Sequence, residues 1–173
     1  MNYFEFYGLP ESFSIDEAAL KKKFYALSKE YHPDFYANED EAKQQEILEL
    51  STINNKAYNV LSNANKRMEY VLQQHNLLAE GDKYQLAPDF LMEMMEINEA
   101  LMEVEDAGQL EAIKTQIADT ESELNSELDA LTSRYTESAK NGKQGILEAI
   151  RDIYYRQKYL LRIKDTLNTF AAR

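Results

Sequence analysis

His32, Pro33 and Asp34 stand side by side in KEYHPDFYANED, the stretch from Lys29 to Asp40. An imidazole next to a carboxylate can serve as an acid–base pair, as part of a metal site, or as a polar contact for another protein. Acid–base work needs a nucleophile or metal and a pocket around it. The only other histidine is His75, cysteine is absent, and neither a Gly-rich phosphate loop nor an HExxH pattern occurs. Adjacent loop residues rarely point at one reacting atom, so no enzymatic role and no cofactor is expected. A helix stop with polar residues left in water, or a loop shaped for a partner, remains.

A second group of candidate residues lies in DFLMEMMEINEALMEVE, Asp89 to Glu105. At helical spacing Phe90, Met94, Ile97, Leu101 and Val104 share one face, which reads as core. Leu91, Met92 and Met95 fall about a third of a turn away, on the flank that carries Glu96, Glu99 and Glu103. Such a flank can pack against the rest of the chain. It can also bind a partner, with flexible apolar anchors supplying energy and carboxylates supplying orientation toward a basic patch. Tyr155 sits nearly opposite the Ile150/Ile153/Leu160 stripe of the last helix, where it can join the same patch if the two helices are neighbours.

The elements that hold these residues are helical. Ser14-Ile15-Asp16-Glu17 reads as a capping box, opening a helix with Leu20, Phe24, Leu27 and Tyr31 on one face. Lys22 and Lys29 fall on the other face, with Lys21 at its edge. Pro33 ends it, since proline has no amide to donate and disfavours helical geometry in the preceding residue. A second helix is expected over about 39–61, with Ile47, Leu50, Ile53, Ala57 and Leu61 inward; a break at 62–65 and a short helix over 66–74 follow. The two long helices pair antiparallel around the 32–38 loop, with short helices over them.

The stretch from His75 to Pro88 loses its period and reads as a linker. Three more helices follow at about 89–105, 110–135 and 144–171. The middle one places Leu110, Ile113, Ile117, Leu124, Leu128, Leu131 and Tyr135 at near-heptad spacing; the last places Ile146, Ile150, Ile153, Leu160 and Leu167 together. Short breaks between them predict a three-helix bundle. The expected organisation is all-α: residues 1–75 as a first domain, 76–88 as linker, 89–173 as a bundle.

Of 173 residues, 44% are hydrophobic, enough for one or two small cores. A net charge of −12, from 19 basic and 31 acidic residues, argues against nucleic acid or an anionic membrane as main partner. The N-terminus MNYFEFYGLPESF carries no basic or Arg-rich presequence, and no stretch approaches the ~20 apolar residues that span a bilayer. A cytoplasmic protein, most simply bacterial, is expected. Charge divides the second half: residues 89–129 hold thirteen acids and one base, Lys114, whereas 134–173 hold nine bases and four acids. Attraction between helices of the bundle accounts for such a division.

The segments LKKKFYALSKEYHPD, TINNKAYNVLSN and NKRMEYVL resemble, in order and spacing, a J-domain. The resemblance implies that His32, Pro33 and Asp34, with the basic face of the preceding helix, bind a DnaK-type chaperone and trigger its ATP hydrolysis. It extends to Lys21, Lys22 and Lys29, and to Lys66 and Arg67, which match a basic pair of the following helix. Tyr25, Ala26 and Glu30 stand where J-domains often carry a base, and Phe35 where a lysine commonly follows the aspartate, which points to a specialised chaperone.

With NYFEFYGLP at the start and FLMEMMEINEALMEVE opening the bundle, the whole chain is similar to the HscB family of iron–sulfur cluster co-chaperones. That resemblance implies that the bundle binds an IscU-type scaffold through Leu91, Met92, Met95, Glu96, Glu99, Glu103 and Tyr155, and that the J-domain presents it to an HscA-type chaperone. Met95 and Tyr155 stand where leucine and phenylalanine are expected. Longer eukaryotic relatives carry a cysteine zinc module or transit sequence; neither is present, which favours a bacterial protein. A monomer is expected.

Overall fold

Asn2 opens the first helix: its side chain accepts from the Glu5 amide while Glu5 reaches back to the Asn2 amide, a reciprocal cap that satisfies two otherwise unpaired donors. The computed structural model describes residues 1–78 and 83–171, and residues 79–82 of the expected linker lie outside the described residues. Every regular element described is helical, and the chain divides into two compact units, Met1–Asn76 and Leu77–Arg173.

The first unit contains α1 (Tyr3–Phe6), α2 (Glu17–Glu30), a single 3-10 turn (Pro33–Tyr36), α3 (Glu41–Leu61) and α4 (Ala64–Gln74). The α2 cap differs from the expected one. Asp16, not Ser14, accepts from the Ala19 amide, so the helix starts at Glu17. Both residue types cap well, but the Ser14 amide donates instead to the Ser12 hydroxyl. Asp40 caps α3 and Asn63 caps α4, each accepting from the amide three residues on, so α3 starts after Glu39 and α4 before Lys66.

The α2–α3 hairpin is the centre of this unit, with α1 and α4 packed on α3. Its core gathers Phe4, Tyr7, Leu20, Ile47, Ala57, Leu61, Val71 and Leu72. Leu20 is fully buried on α2, whereas Phe24, Leu27 and Tyr31 are half-buried at its margin, with Phe24 stacked on Tyr58.

A polar residue sits inside this core. Asn54 is 1% exposed. Its side chain accepts from the Tyr7 hydroxyl at 2.8 Å and donates to the Phe24 carbonyl at 3.2 Å and the Ser28 hydroxyl at 3.1 Å. Burial of an amide is tolerated when its donors and acceptor are used in this way, and the result ties α2 to α3. Burial pushes the Tyr7 phenol well above its usual range, so it acts as a donor.

The second unit holds α5 (Pro88–Met102), α6 (Ala107–Glu137) and α7 (Lys143–Ala171) in mutual contact. Proline at the first position of α5 costs no hydrogen bond there. Phe90, Met94, Ile97 and Leu101 meet Ile113, Ile117 and Leu124 of α6 and Ile153, Leu160, Ile163 and Leu167 of α7 in one core, with Val104 packed at its edge. The uneven charge of the two long helices is used between them: Lys164 contacts Glu121 at 2.7 Å and Arg156 lies 3.9 Å from Glu127. Solvent-accessible pairs of this kind, here half-buried apart from the exposed Glu127, contribute about 1 kcal/mol or less each; the apolar stripe holds the bundle.

Candidate partner-binding surfaces

In the first unit α2 ends at Glu30, and the chain turns through His32 into Pro33–Tyr36. The His32 backbone is extended, and its imidazole Nδ1 accepts from the Asp34 amide at 3.2 Å. An accepting Nδ1 leaves Nε2 as the N–H of the neutral ring. The Phe35 ring meets the imidazole edge-on, 5.9 Å between centroids.

The turn is held from both sides. The Tyr36 hydroxyl donates to the Glu30 carbonyl, and the Gln44 amide donates to the Ala37 and Glu39 carbonyls. His32, Pro33, Asp34 and Phe35 are all exposed. The His32–Asp34 side-chain separation of 3.7 Å in open solvent makes neither a relay nor a metal site, and no cluster of metal-ligating side chains occurs among the described residues.

Lys21, Lys22 and Lys29 are exposed on the outer face of α2, and among the described residues no ion pair engages them. Lys66 is exposed on α4, donating to the Asn59 amide oxygen. Arg67 is different and corrects the sequence expectation: it is 6% exposed, with Nε donating to the Phe13 carbonyl and Nη1 to the Leu61 carbonyl. It is therefore a structural tie between the loop before α2 and the end of α3, not a surface cation. Lys23, not singled out in the sequence, plays a similar part by donating to the Tyr7 carbonyl at 2.7 Å.

In the second unit the exposed flank of α5 carries what the periodicity placed there. Met92 and Met95 are 60% and 56% exposed, Leu91 is half-buried, and Glu96, Glu99 and Glu103 are in solvent, none in an ion pair among the described residues. Met102, 64% exposed and seven residues beyond Met95, extends the apolar strip and was missed. The signal was available, since a spacing of seven returns a side chain to nearly the same helical face. Methionines held at this exposure, beside free carboxylates, are suited to a partner with apolar pockets and basic groups.

Tyr155 is less free than its place on the helical wheel suggests. It is half-buried, with its ring stacked on Tyr84 at 4.6 Å and edge-on to Tyr154 at 5.2 Å. Tyr84 lies just before α5; its hydroxyl donates to Asp152 at 2.7 Å, and the Arg151 guanidinium lies over its ring at 5.1 Å. Arg156 holds the other Asp152 oxygen at 2.7 Å and stands over the Phe90 ring. Desolvation, followed by the Asp152 hydrogen bond and charge, pushes the Tyr84 phenol up to about 12. The start of α5 is thereby clasped to α7, the helix that bears Tyr155.

Comparison with known proteins bears on both units. Residues 2–70 match the DnaJ domain model, and residues 86–168 match the model described as the HSCB C-terminal oligomerisation domain. The co-chaperone protein HscB homolog of Vibrio vulnificus strain YJ016 is 36% identical over 138 residues, covering 72% of this chain and 81% of that protein. The chain belongs to the HscB co-chaperone family. The HscB homolog of Aliivibrio salmonicida is 34% identical over 142 residues, covering 74% of the chain and 82% of the relative. Among solved structures, chaperone HscB from Vibrio cholerae superposes with a TM-score of 0.65 at 27% identity, covering 99% of this chain and 98% of its own. The human co-chaperone protein HscB superposes at 0.71 and 26% identity, covering 98% and 81%. The HscB homologues are named as co-chaperones rather than enzymes. Among the described residues no helix is long and apolar enough to cross a membrane.

Proposed function

We propose that this HscB-family chain is a two-headed adaptor that performs no chemistry of its own. One head, the α5 flank of Leu91, Met92, Met95, Glu96, Glu99 and Glu103 with Tyr155 beside it, holds an IscU-type iron–sulfur scaffold. The other, the His32-Pro33-Asp34 turn with Lys21, Lys22, Lys29 and Lys66, engages an HscA-type chaperone of the DnaK class and promotes its ATP hydrolysis. Joining both heads in one chain raises the scaffold's effective concentration at the chaperone. The chaperone head must bind the hydrolysis-competent state better than the resting state, since equal affinity shifts nothing.

The observation that carries this reading is the exposed, side-chain-braced turn in which Nδ1 of His32 is already occupied by the Asp34 amide, so that Nε2 is the ring nitrogen left to donate to a partner. Such preorganisation lowers the ordering cost of docking. Steady-state ATP hydrolysis by the chaperone, with this protein alone, scaffold alone and both together, tests it. Synergy needing both proteins and lost in His32→Gln is expected. Stimulation indifferent to scaffold reassigns the client, and no stimulation leaves the tripeptide as a helix stop.

A second reading is favoured by the description of the matched C-terminal model as an oligomerisation domain: the exposed Met92/Met95 strip would join two copies of the chain. Mass measured over a concentration series separates the two, since self-association predicts a doubling that Met92→Glu removes.

A further inference from the structure

Two large aromatic rings stand in solvent on the first unit, and both lie where the proposed chaperone contact is made. Phe35 is 68% exposed in the His-Pro-Asp turn, and Tyr25 is 59% exposed on α2. At helical spacing Tyr25 falls between Lys22 and Lys29, and the Lys21 amine stands 5.9 Å from its ring centroid. Neither ring is needed for the core: the buried face of α2 is carried by Leu20, and the turn is braced by Tyr36 and Gln44. The Phe35 backbone amide donates to the His32 carbonyl, and its ring touches the imidazole edge-on, so Phe35 and His32 form one surface.

A lysine stripe on a chain of net charge −12 selects an acidic partner surface. Lysines alone supply steering and weak, salt-screened affinity. Exposed aromatics next to them supply what lysines lack, since rings entering partner pockets are frequent centres of binding energy. We propose that Phe35, seconded by Tyr25, is an apolar anchor of the chaperone contact, so that the partner pairs its acidic groups with a recess for the Phe35 ring. The contact is then half electrostatic and half apolar. It continues the surface formed by His32 and the lysines, and it rests on the chaperone-stimulating reading given above.

The test is the half-saturating concentration for stimulation of the chaperone's ATP hydrolysis, measured at low and high salt with the full chain. Phe35→Ala should raise it about tenfold, the equivalent of about 1.4 kcal/mol, at both salt concentrations. Tyr25→Ala should raise it by less. Phe35→Leu should recover most of the loss, because an anchor needs apolar bulk, whereas Phe35→Lys should recover activity at low salt only. Each variant should keep its melting temperature, the rings being exposed, and its scaffold binding. An unchanged half-saturation for Phe35→Ala at both salts, or a Phe35→Leu no better than Phe35→Ala, overturns the anchor. His32→Gln is the control: if it stimulates like the parent protein, the chaperone reading itself fails, whatever Phe35 does.

Discussion

Arg67 donates from Nε to the Phe13 carbonyl at 2.9 Å, across 54 residues of sequence, and from Nη1 to the Leu61 carbonyl at 2.6 Å. Burial lowers its pKa, an effect that nearby Glu17 partly offsets. Neighbouring Lys66 is exposed, so two adjacent bases that look alike in sequence have separate roles. Arg67→Ala should cost about 3 kcal/mol in denaturant unfolding, the loss of two charge-assisted bonds to buried carbonyls. Lys66→Ala should leave stability within about 0.5 kcal/mol. If Arg67→Ala unfolds at the parent's midpoint, the guanidinium is not the tie described.

The Asn54 network makes a comparable claim on α2 and α3. Asn54→Leu keeps the approximate volume but leaves the Tyr7 hydroxyl only the residue-54 backbone carbonyl as acceptor, takes the amide donor from the Phe24 carbonyl and Ser28 hydroxyl, and adds an apolar group among polar partners. A loss of about 2–3 kcal/mol is expected. Tyr7→Phe should cost less, about 1 kcal/mol, since the Asn54 amide donors keep their Phe24 and Ser28 acceptors. Equal losses in the two variants would argue that the network is not the reason.

His32→Gln should leave far-UV helicity and the unfolding midpoint unchanged, because the ring is exposed and its one hydrogen bond is to the neighbouring Asp34 amide. Stimulation of the chaperone should fall to background while scaffold capture persists. Loss of helicity alongside activity would count against a contact role.

On the other unit, Leu91→Ala/Met92→Ala should weaken scaffold capture at least tenfold, measured by titration calorimetry, with little change in melting temperature for the exposed Met92. Met102→Ala should weaken it by a smaller factor. Glu96→Lys should act mainly through the association rate and flatten its salt dependence. If salt weakens the parent and Glu96→Lys equally, the carboxylate lies outside the interface.

The Tyr84 clasp has a pH signature. A phenol ordinarily titrates near 10, and this one is pushed up to about 12. The folded state holds its proton more tightly than the unfolded state, so this contribution is complete below pH about 10 and is lost as pH rises toward about 12. Tyr84→Phe should therefore be less stable than the parent near neutrality, with the gap closing between pH about 10 and about 12. A gap that stays constant over that range would mean that folding does not raise the phenol's pKa.

Much of this protein was legible from period and punctuation. Apolar spacing identified Phe90, Met94, Ile97 and Leu101 as core and left Met92 and Met95 outside, because burial of an amphipathic helix follows local geometry. Pro33 stopped α2 for the local reason that it has no amide to donate, and the tripeptide stood out because the helices around it were regular. Helix starts were less secure: Ser14 and Asp16 are both good caps two residues apart, and only the backbone path decides between them.

Tertiary structure alone decided which polar residues go inside. Arg67 and Lys66 have the same charge, and Asn54 is a polar neighbour of the half-buried Ile53. What buries Arg67 and Asn54 is the arrival of Phe13 and Tyr7 from 54 and 47 residues away. Tyr155 lies nearly opposite the apolar stripe of α7, and Tyr84, from a distant segment, gives its ring a stacking partner. Apolar burial is encoded in the repeat of one helix. Polar burial depends on a hydrogen-bonding partner, and which distant group supplies it is known only once the chain has closed on itself.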